Sequence, residues 1–410
     1  MMEIILRKYA KLAVKIGANV QQNQYVLVNS PVDCASLARL VVEEAYAAGA
    51  KYVYVNWSDE LVSRQHYLNC SVEQLEHIPS WMVGRLQDAV DQNACLIAIS
   101  APTPGLMGDV DPMKMQKAAI ASQKALQFFS KYTAGNQGQW NIVAMPTAAW
   151  ARKVFTNVTD EEAVEKLWEA ILSASRVTED NDPVAEWTDH MNQMARRNTI
   201  LNEYNFKTLH FKNELGTDFT LDLVKDHIWA GGGEHTTKGV YFAPNIPTEE
   251  AFTMPEKTGV NGVVYSTKPL NYQGKLIEDF WLRFEHGKVV DFDAKKEKET
   301  LQSLLEFDEG SCYLGEVALV PDDSPISNSK ILFMNTLFDE NASCHLALGR
   351  AYPMNVKGGT QMTDEQLTEA GVNLSLTHVD FMFGDATMHI AGTKYDGTEV
   401  VVFDKGNFVF

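Results

Sequence analysis

The sequence predicts an α/β protein in two parts: an N-terminal domain over residues 1–190, with helices flanking a parallel sheet, and a β-rich α+β domain over residues 191–410. Three observations predict it. Short apolar runs alternate with helical patterns up to about Arg176, two helical patterns follow in succession, and thereafter the rhythm is that of strands and tight turns. A chain of 410 residues also exceeds what one hydrophobic core usually serves.

In order, M-M-E-I-I-L-R-K-Y-A-K-L-A-V-K-I-G reads as an amphipathic helix. The runs Tyr25–Asn29, Tyr52–Trp57, Cys95–Ser100 and Asn141–Pro146 are nearly continuously apolar, the pattern of strands buried on both faces. Between them, A-S-L-A-R-L-V-V-E-E-A-Y-A-A-G is a helix stopped at Gly49, and Asp111–Pro112 opens another. Asp160–Arg176 and Pro183–Asn202 are the two successive helices. Beyond them, T-L-H-F-K-N, F-T-L-D-L-V, V-V-Y-S-T, W-L-R-F-E-H-G-K-V-V-D-F and G-T-E-V-V-V-F carry β-type alternation or β-branched enrichment. The Gly-rich Trp229–Gly239 reads as a mobile loop between strands, with Glu234 and His235 outside any site.

Composition narrows the function. A net charge of −19 repels phosphate backbones and anionic membrane surfaces, which argues against nucleic acid and membrane partners. No apolar stretch reaches membrane-spanning length, and the start has neither the apolar core nor the cleavage site of a signal peptide. Five scattered cysteines without a C-x-x-C pair suit a reducing cytoplasm. No strand is followed by a phosphate-binding glycine motif, so a nucleotide site is not expected.

Ligand-type residues gather in four segments of the second half. P-N-I-P-T-E-E-A-F-T-M-P carries Glu249 and Glu250; Y-L-G-E-V-A-L-V carries Glu316 inside an apolar strand; F-D-E-N-A-S-C-H-L-A-L-G carries Glu340 and His345; L-T-H-V-D-F-M-F-G-D carries His378 and Asp380. Residues two apart on a strand share a face, so His378 and Asp380 point one way and Val379 and Phe381 the other. Each residue has an ordinary reading: a His378–Asp380 ion pair, a strand-edge charge at Glu316, a helix-start carboxylate at Glu250, a core histidine at His345. Glu316 strains that reading, because a carboxylate amid Leu314, Val317 and Leu319 must neutralise or find positive charge, and no Lys or Arg follows until Lys330. Carboxylates mixed with imidazoles suit Zn²⁺, Co²⁺ or Mn²⁺, and three carboxylates with two histidines suffice for two ions sharing a bridging ligand.

The four segments, in this order, resemble the thermophilic-type metalloaminopeptidases of peptidase family M29. The resemblance implies two divalent ions held by Glu250, Glu316, His345, His378 and Asp380, with Glu316 bridging. It adds Glu340 as a ligand or nearby acid, and Tyr352 as a polar group facing the metals. In such a site Glu340 would shuttle a proton to the leaving amine, and Tyr352 would either donate to the oxyanion or simply pack beside Pro353. Glu249 and Glu250 compete for one role, and in an extended segment only one faces the metals. The resemblance also implies peptide substrates and a homodimer whose sites open into an enclosed cavity. Two other functions compete. A dinuclear phosphoesterase or amidase would use the same ions, although only Arg350 stands near the ligands for a phosphate. A non-catalytic metal-binding protein would fill every ligand position itself.

Overall fold

The computed structural model describes residues 2–273 and 275–410. The chain forms two compact units, Met1–Met191 with Gly233–Pro247, and Asn192–Gly232 with Thr248–Phe410. The segment Gly233–Pro247, placed on sequence in the second part, packs with the first.

In the first unit a parallel four-stranded sheet runs in the order Tyr52–Ser58, Tyr25–Pro31, Cys95–Ser100, Trp140–Ala144. All four strands coincide with the apolar runs, but two-sided burial extends over three successive residues only in the middle of Tyr25–Pro31, at Val26, Leu27 and Val28. The Tyr52 strand is an edge, and Tyr52, Tyr54 and Trp57 are exposed. Helix Ala35–Ala47 buries Leu37, Ala38, Val41 and Ala45, the spacing of one helical face. Past its end Gly49 takes φ +98°, a conformation only glycine adopts without cost. Asp111 caps helix Pro112–Ala125 by accepting a hydrogen bond from the Met113 N–H at 2.9 Å. The Gly-rich segment is not a simple loop: Glu234–His235 pairs antiparallel with Tyr241–Phe242, the His235 ring lies 4.7 Å from that of Tyr241, and the Asn136 amide donates to the Glu234 carboxylate.

Among the described residues, the second unit holds an antiparallel sheet of nine strands and a smaller one of four. The large sheet includes Phe206–Lys212, Asp218–Leu223, Pro255–Tyr265, Lys275–Glu285 and His389–Lys394. The small one runs Ala251–Thr253, Leu314–Leu319, His345–Gly349, His378–Met382, each pair antiparallel. Their shared core is aromatic. Phe211 stacks on Phe219 at 4.6 Å, and both meet Phe383 edge-on at 5.5 Å, while Phe381 lies 5.5 Å from Phe280. Phe381 and Phe383 therefore anchor the back of the strand whose front carries His378 and Asp380. No helix of the described residues is long and apolar enough to cross a membrane, and all five cysteines are free.

Truncating Phe383 removes one ring of this trio and leaves a cavity. Phe383→Ala is expected to cost about 3–5 kcal/mol of stability, read as a lowered midpoint in urea unfolding; a loss below about 1 kcal/mol would show that the trio is not a core.

Candidate metal centre

The four-stranded sheet aims the ligand residues by register. Glu316 stands opposite Ala347, which stands opposite Asp380; Ala318 and Met382 flank His345; Gly349 faces His378. Directly paired residues share a face, so Glu316, His345, His378 and Asp380 all project from one side. Phe252 pairs with Ala318, which places Glu250, two residues earlier and just before the strand, on that side as well. Ala347 and Ala318 are the small residues over which the longer side chains converge. Glu316 reaches its place through a bulge between Leu314 and Glu316, where a Cβ on Gly315 would stand 2.3 Å from the Gly349 carbonyl oxygen.

Two clusters result, Glu250–Glu316–His345 and Glu316–His378–Asp380, with Glu316 in both. The Nε2 of His345 lies 3.3 Å from Glu250 Oε2 and 3.5 Å from Glu316 Oε1. The Nε2 of His378 lies 3.6 Å from Glu316 Oε2 and 3.3 Å from Asp380 Oδ1. His345 is 1% exposed and Glu316 5%. Glu340 falls outside both clusters and borders a cleft beside Asp380. Tyr352 tilts its ring to 4.8 Å from that of His378. Glu249 is buried, with its backbone N–H donating to Asn341 Oδ1 at 2.8 Å, and it belongs to neither cluster. Arg350 contributes its backbone: its carbonyl accepts from His378 Nδ1 at 2.7 Å.

Those Nδ1 contacts set the chemistry of both imidazoles. A carbonyl oxygen can only accept, so the Nδ1 of His378 carries the proton, and a neutral ring then offers a lone pair at Nε2 toward the carboxylates. His345 repeats the arrangement more loosely, its Nδ1 lying 3.3 Å from the Ser343 carbonyl. This is how metal-ligating histidines are oriented. Asp380 Oδ1 is buried and makes no well-aligned hydrogen bond; its one near partner is His378 Nε2 at 3.3 Å, and a buried carboxylate oxygen so sparsely engaged suits a metal ligand. Two ligands bound tetrahedrally at about 2.0–2.1 Å from one ion stand roughly 3.3–3.4 Å apart, close to the four separations seen. The residues present therefore fit divalent metal.

The charges agree. Burial raises the pKa of Glu316, with His345 pulling against it. Burial, then repulsion from Glu250 and Asp380, lifts Glu340 well above the carboxylate range. Burial opposes charge on His378 too, but Asp380 and Glu316 outweigh it and push the imidazole up to about 10, so without metal the ring is an imidazolium paired with both carboxylates, and its Nε2 lone pair becomes a ligand only when metal displaces that proton. Tyr352 is 42% exposed as a residue, but crowding around its hydroxyl and the surrounding carboxylates raise its pKa, so the phenol is a hydrogen-bond donor at neutral pH. No lysine or arginine among the described residues pairs with Glu250, Glu316, Glu340 or Asp380.

Two structural residues have no evident sequence signal. Buried Asn373 donates through Nδ2 to the carbonyls of Gly310 at 2.9 Å and Gly349 at 2.7 Å, and its own carbonyl accepts from the Ala351 N–H at 3.0 Å. It thereby ties the approach to the Glu316 strand, the end of the His345 strand and the approach to the His378 strand. Ala347 is the other, because only its register reveals that Glu316 and Asp380 flank it. Ala347→Leu is expected to lower the metal bound per chain by at least about tenfold in affinity with the circular dichroism spectrum retained; unchanged affinity would show that Glu316 and Asp380 do not converge there.

The family model of the thermophilic metalloproteases, M29, matches residues 2–408. Aminopeptidase AmpS of Bacillus subtilis is 46% identical over 405 residues, covering 99% of this chain and 98% of that protein. Aminopeptidase 2 of Geobacillus stearothermophilus is 45% identical over the same shares. The solved structure of wild-type AmpT from Thermus thermophilus superposes with a TM-score of 0.93 at 36% identity, over 100% of both chains. With such similarity running from end to end, and with the carboxylate and histidine clusters in place, this chain belongs to the M29 family of metalloproteases.

Proposed function

We propose that this protein is a metal-dependent aminopeptidase that releases N-terminal residues from peptides, using two divalent ions of zinc, cobalt or manganese bridged by Glu316. The relatives named as aminopeptidases support the activity. One observation carries the two-ion reading: the two carboxylate oxygens of Glu316 face different histidines, Oε1 toward His345 and Oε2 toward His378. A carboxylate serving one ion has no need of that division. Charge supports it as well, since two divalent ions would balance Glu250, Glu316, Glu340 and Asp380 while both imidazoles stay neutral.

When bound, such ions polarise a carbonyl oxygen and acidify a water to a pKa of about 7. Glu250 and His345 would hold one ion and His378 and Asp380 the other, while the Nδ1 contacts to backbone carbonyls keep both imidazoles oriented. Glu340, outside the ligand clusters, would be ionised once divalent charge nearby lowers its raised pKa, and would then take a proton from the nucleophilic water and deliver it to the leaving amine. Tyr352, beside His378, donates its O–H to the oxyanion that develops on the scissile carbonyl. The reading includes unblocked peptides as substrates, a homodimer as the working form and the cytoplasm as its location.

Hydrolysis of leucine and arginine anilides tests it. Activity is expected to vanish with chelator and return with Zn²⁺, Co²⁺ or Mn²⁺; activity indifferent to chelator would end the metallopeptidase reading. Glu316→Gln should lower kcat/KM by more than about 100-fold and reduce bound metal without unfolding the protein, and a variant with normal turnover would remove Glu316 from the site. Because Glu250 lies in a cluster and Glu249 does not, Glu250→Ala should lose more metal than Glu249→Ala. The reverse order would mean that the wrong glutamate has been assigned.

A further inference from the structure

Bordered by Asp380 and Glu340 lies a cleft whose apolar walls the chemistry above leaves unused. Its walls include Leu270, Leu276, Met334 and Met382, and its polar edge is formed by Glu340 and Asp380. Met382 follows Asp380 by two residues on the same strand and stands opposite His345, so the cleft continues the metal-facing side of the sheet. Leu270 and Leu276 come from two antiparallel strands, with Asn271 paired to Leu276. Met334 comes from a loop in which it takes φ +55°, unfavourable for a side chain of its type. That loop is braced on both sides of Met334: the Phe333 N–H donates to Asp339 Oδ1 at 2.8 Å and the Asn335 N–H to Asp339 Oδ2 at 3.0 Å.

Resting on the aminopeptidase reading, we propose that this cleft receives the side chain of the substrate's N-terminal residue and selects unbranched or γ-branched apolar side chains such as leucine and methionine. Four apolar walls favour burial of an aliphatic side chain. An N-terminal aspartate or glutamate would have to bring its charge out of water against these apolar walls, where no lysine or arginine among the described residues lines the cleft to pair with it. Leu276 and Met382 set the preference, because they come from different strands and meet the side chain from different directions.

The test is a two-way series of substrates: N-terminal Leu, Phe, Arg and Glu on a constant leaving anilide, and dipeptide amides with constant N-terminal Leu and varied second residue. Metal content is measured for every variant, and free L-leucine and L-glutamate are compared as melting-shift probes of the metal-loaded protein. The parent should prefer Leu over Glu by about 100-fold or more in kcat/KM and be stabilised by leucine and not by glutamate. Leu276→Asp should raise the Arg-to-Leu ratio about tenfold, and Met382→Ala should raise the Phe-to-Leu ratio, both with parental metal content. Ratios unchanged in both variants, or a shift confined to the second residue, would overturn the subsite while leaving the aminopeptidase standing. Absence of chelator-sensitive hydrolysis on every substrate would instead overturn the aminopeptidase reading, and the subsite with it.

Discussion

The second unit is organised around a concentration of negative charge that its own side chains do not neutralise. Glu250, Glu316 and Asp380 converge on one face of a four-stranded sheet, Glu340 stands nearby, and two histidines are their only basic partners among the described residues. Removing a carboxylate from water costs several kcal/mol unless a cation or good hydrogen bonds replace the water. Imidazolium can supply part of that compensation. Divalent metal would supply the rest and leave the imidazoles free to act as ligands.

The sheet makes this concentration possible by dividing labour between its faces. Along His378–Met382, Phe381 turns toward the aromatic core while His378 and Asp380 turn toward the clusters. The polar face is thus held by the apolar one, and its geometry is as firm as the packing of Phe280, Phe381 and Phe383 behind it. Small residues and a bulge finish the placement: Ala347 leaves space between Glu316 and Asp380, Gly315 admits the close approach of two strands, and Asn373 joins three of the chain segments that frame the ligands.

Much of this could be read from the sequence, for physical reasons. Apolar runs and caps are local signals, so the four parallel strands, the Asp111 cap and the helices Asp160–Ala174 and Pro183–Tyr204 fall where the pattern puts them. Strand alternation likewise exposes His378 and Asp380 as a same-face pair, and a glutamate in an apolar strand marks Glu316. What failed depends on tertiary structure. Nothing local says that the Tyr52 strand lies at an edge, that Gly233–Pro247 returns to the first unit, or that Glu234–His235 finds a strand partner. Asn373 and Ala347 look like turn and filler residues until register assigns them neighbours. The cleft beside Asp380 draws its walls from segments more than a hundred residues apart, which no periodicity links.

The central claim is that Glu316 joins two metal positions through its separate oxygens. Anomalous diffraction from crystals loaded with zinc or cobalt measures that directly, alongside metal analysis of the same protein. Two peaks per chain, roughly 3.5–4 Å apart and on either side of the Glu316 carboxylate, with two ions per chain in solution, are the predicted result. A single peak with both Glu316 oxygens on one ion, or a single ion held by His378 and Asp380 without Glu316, would contradict it.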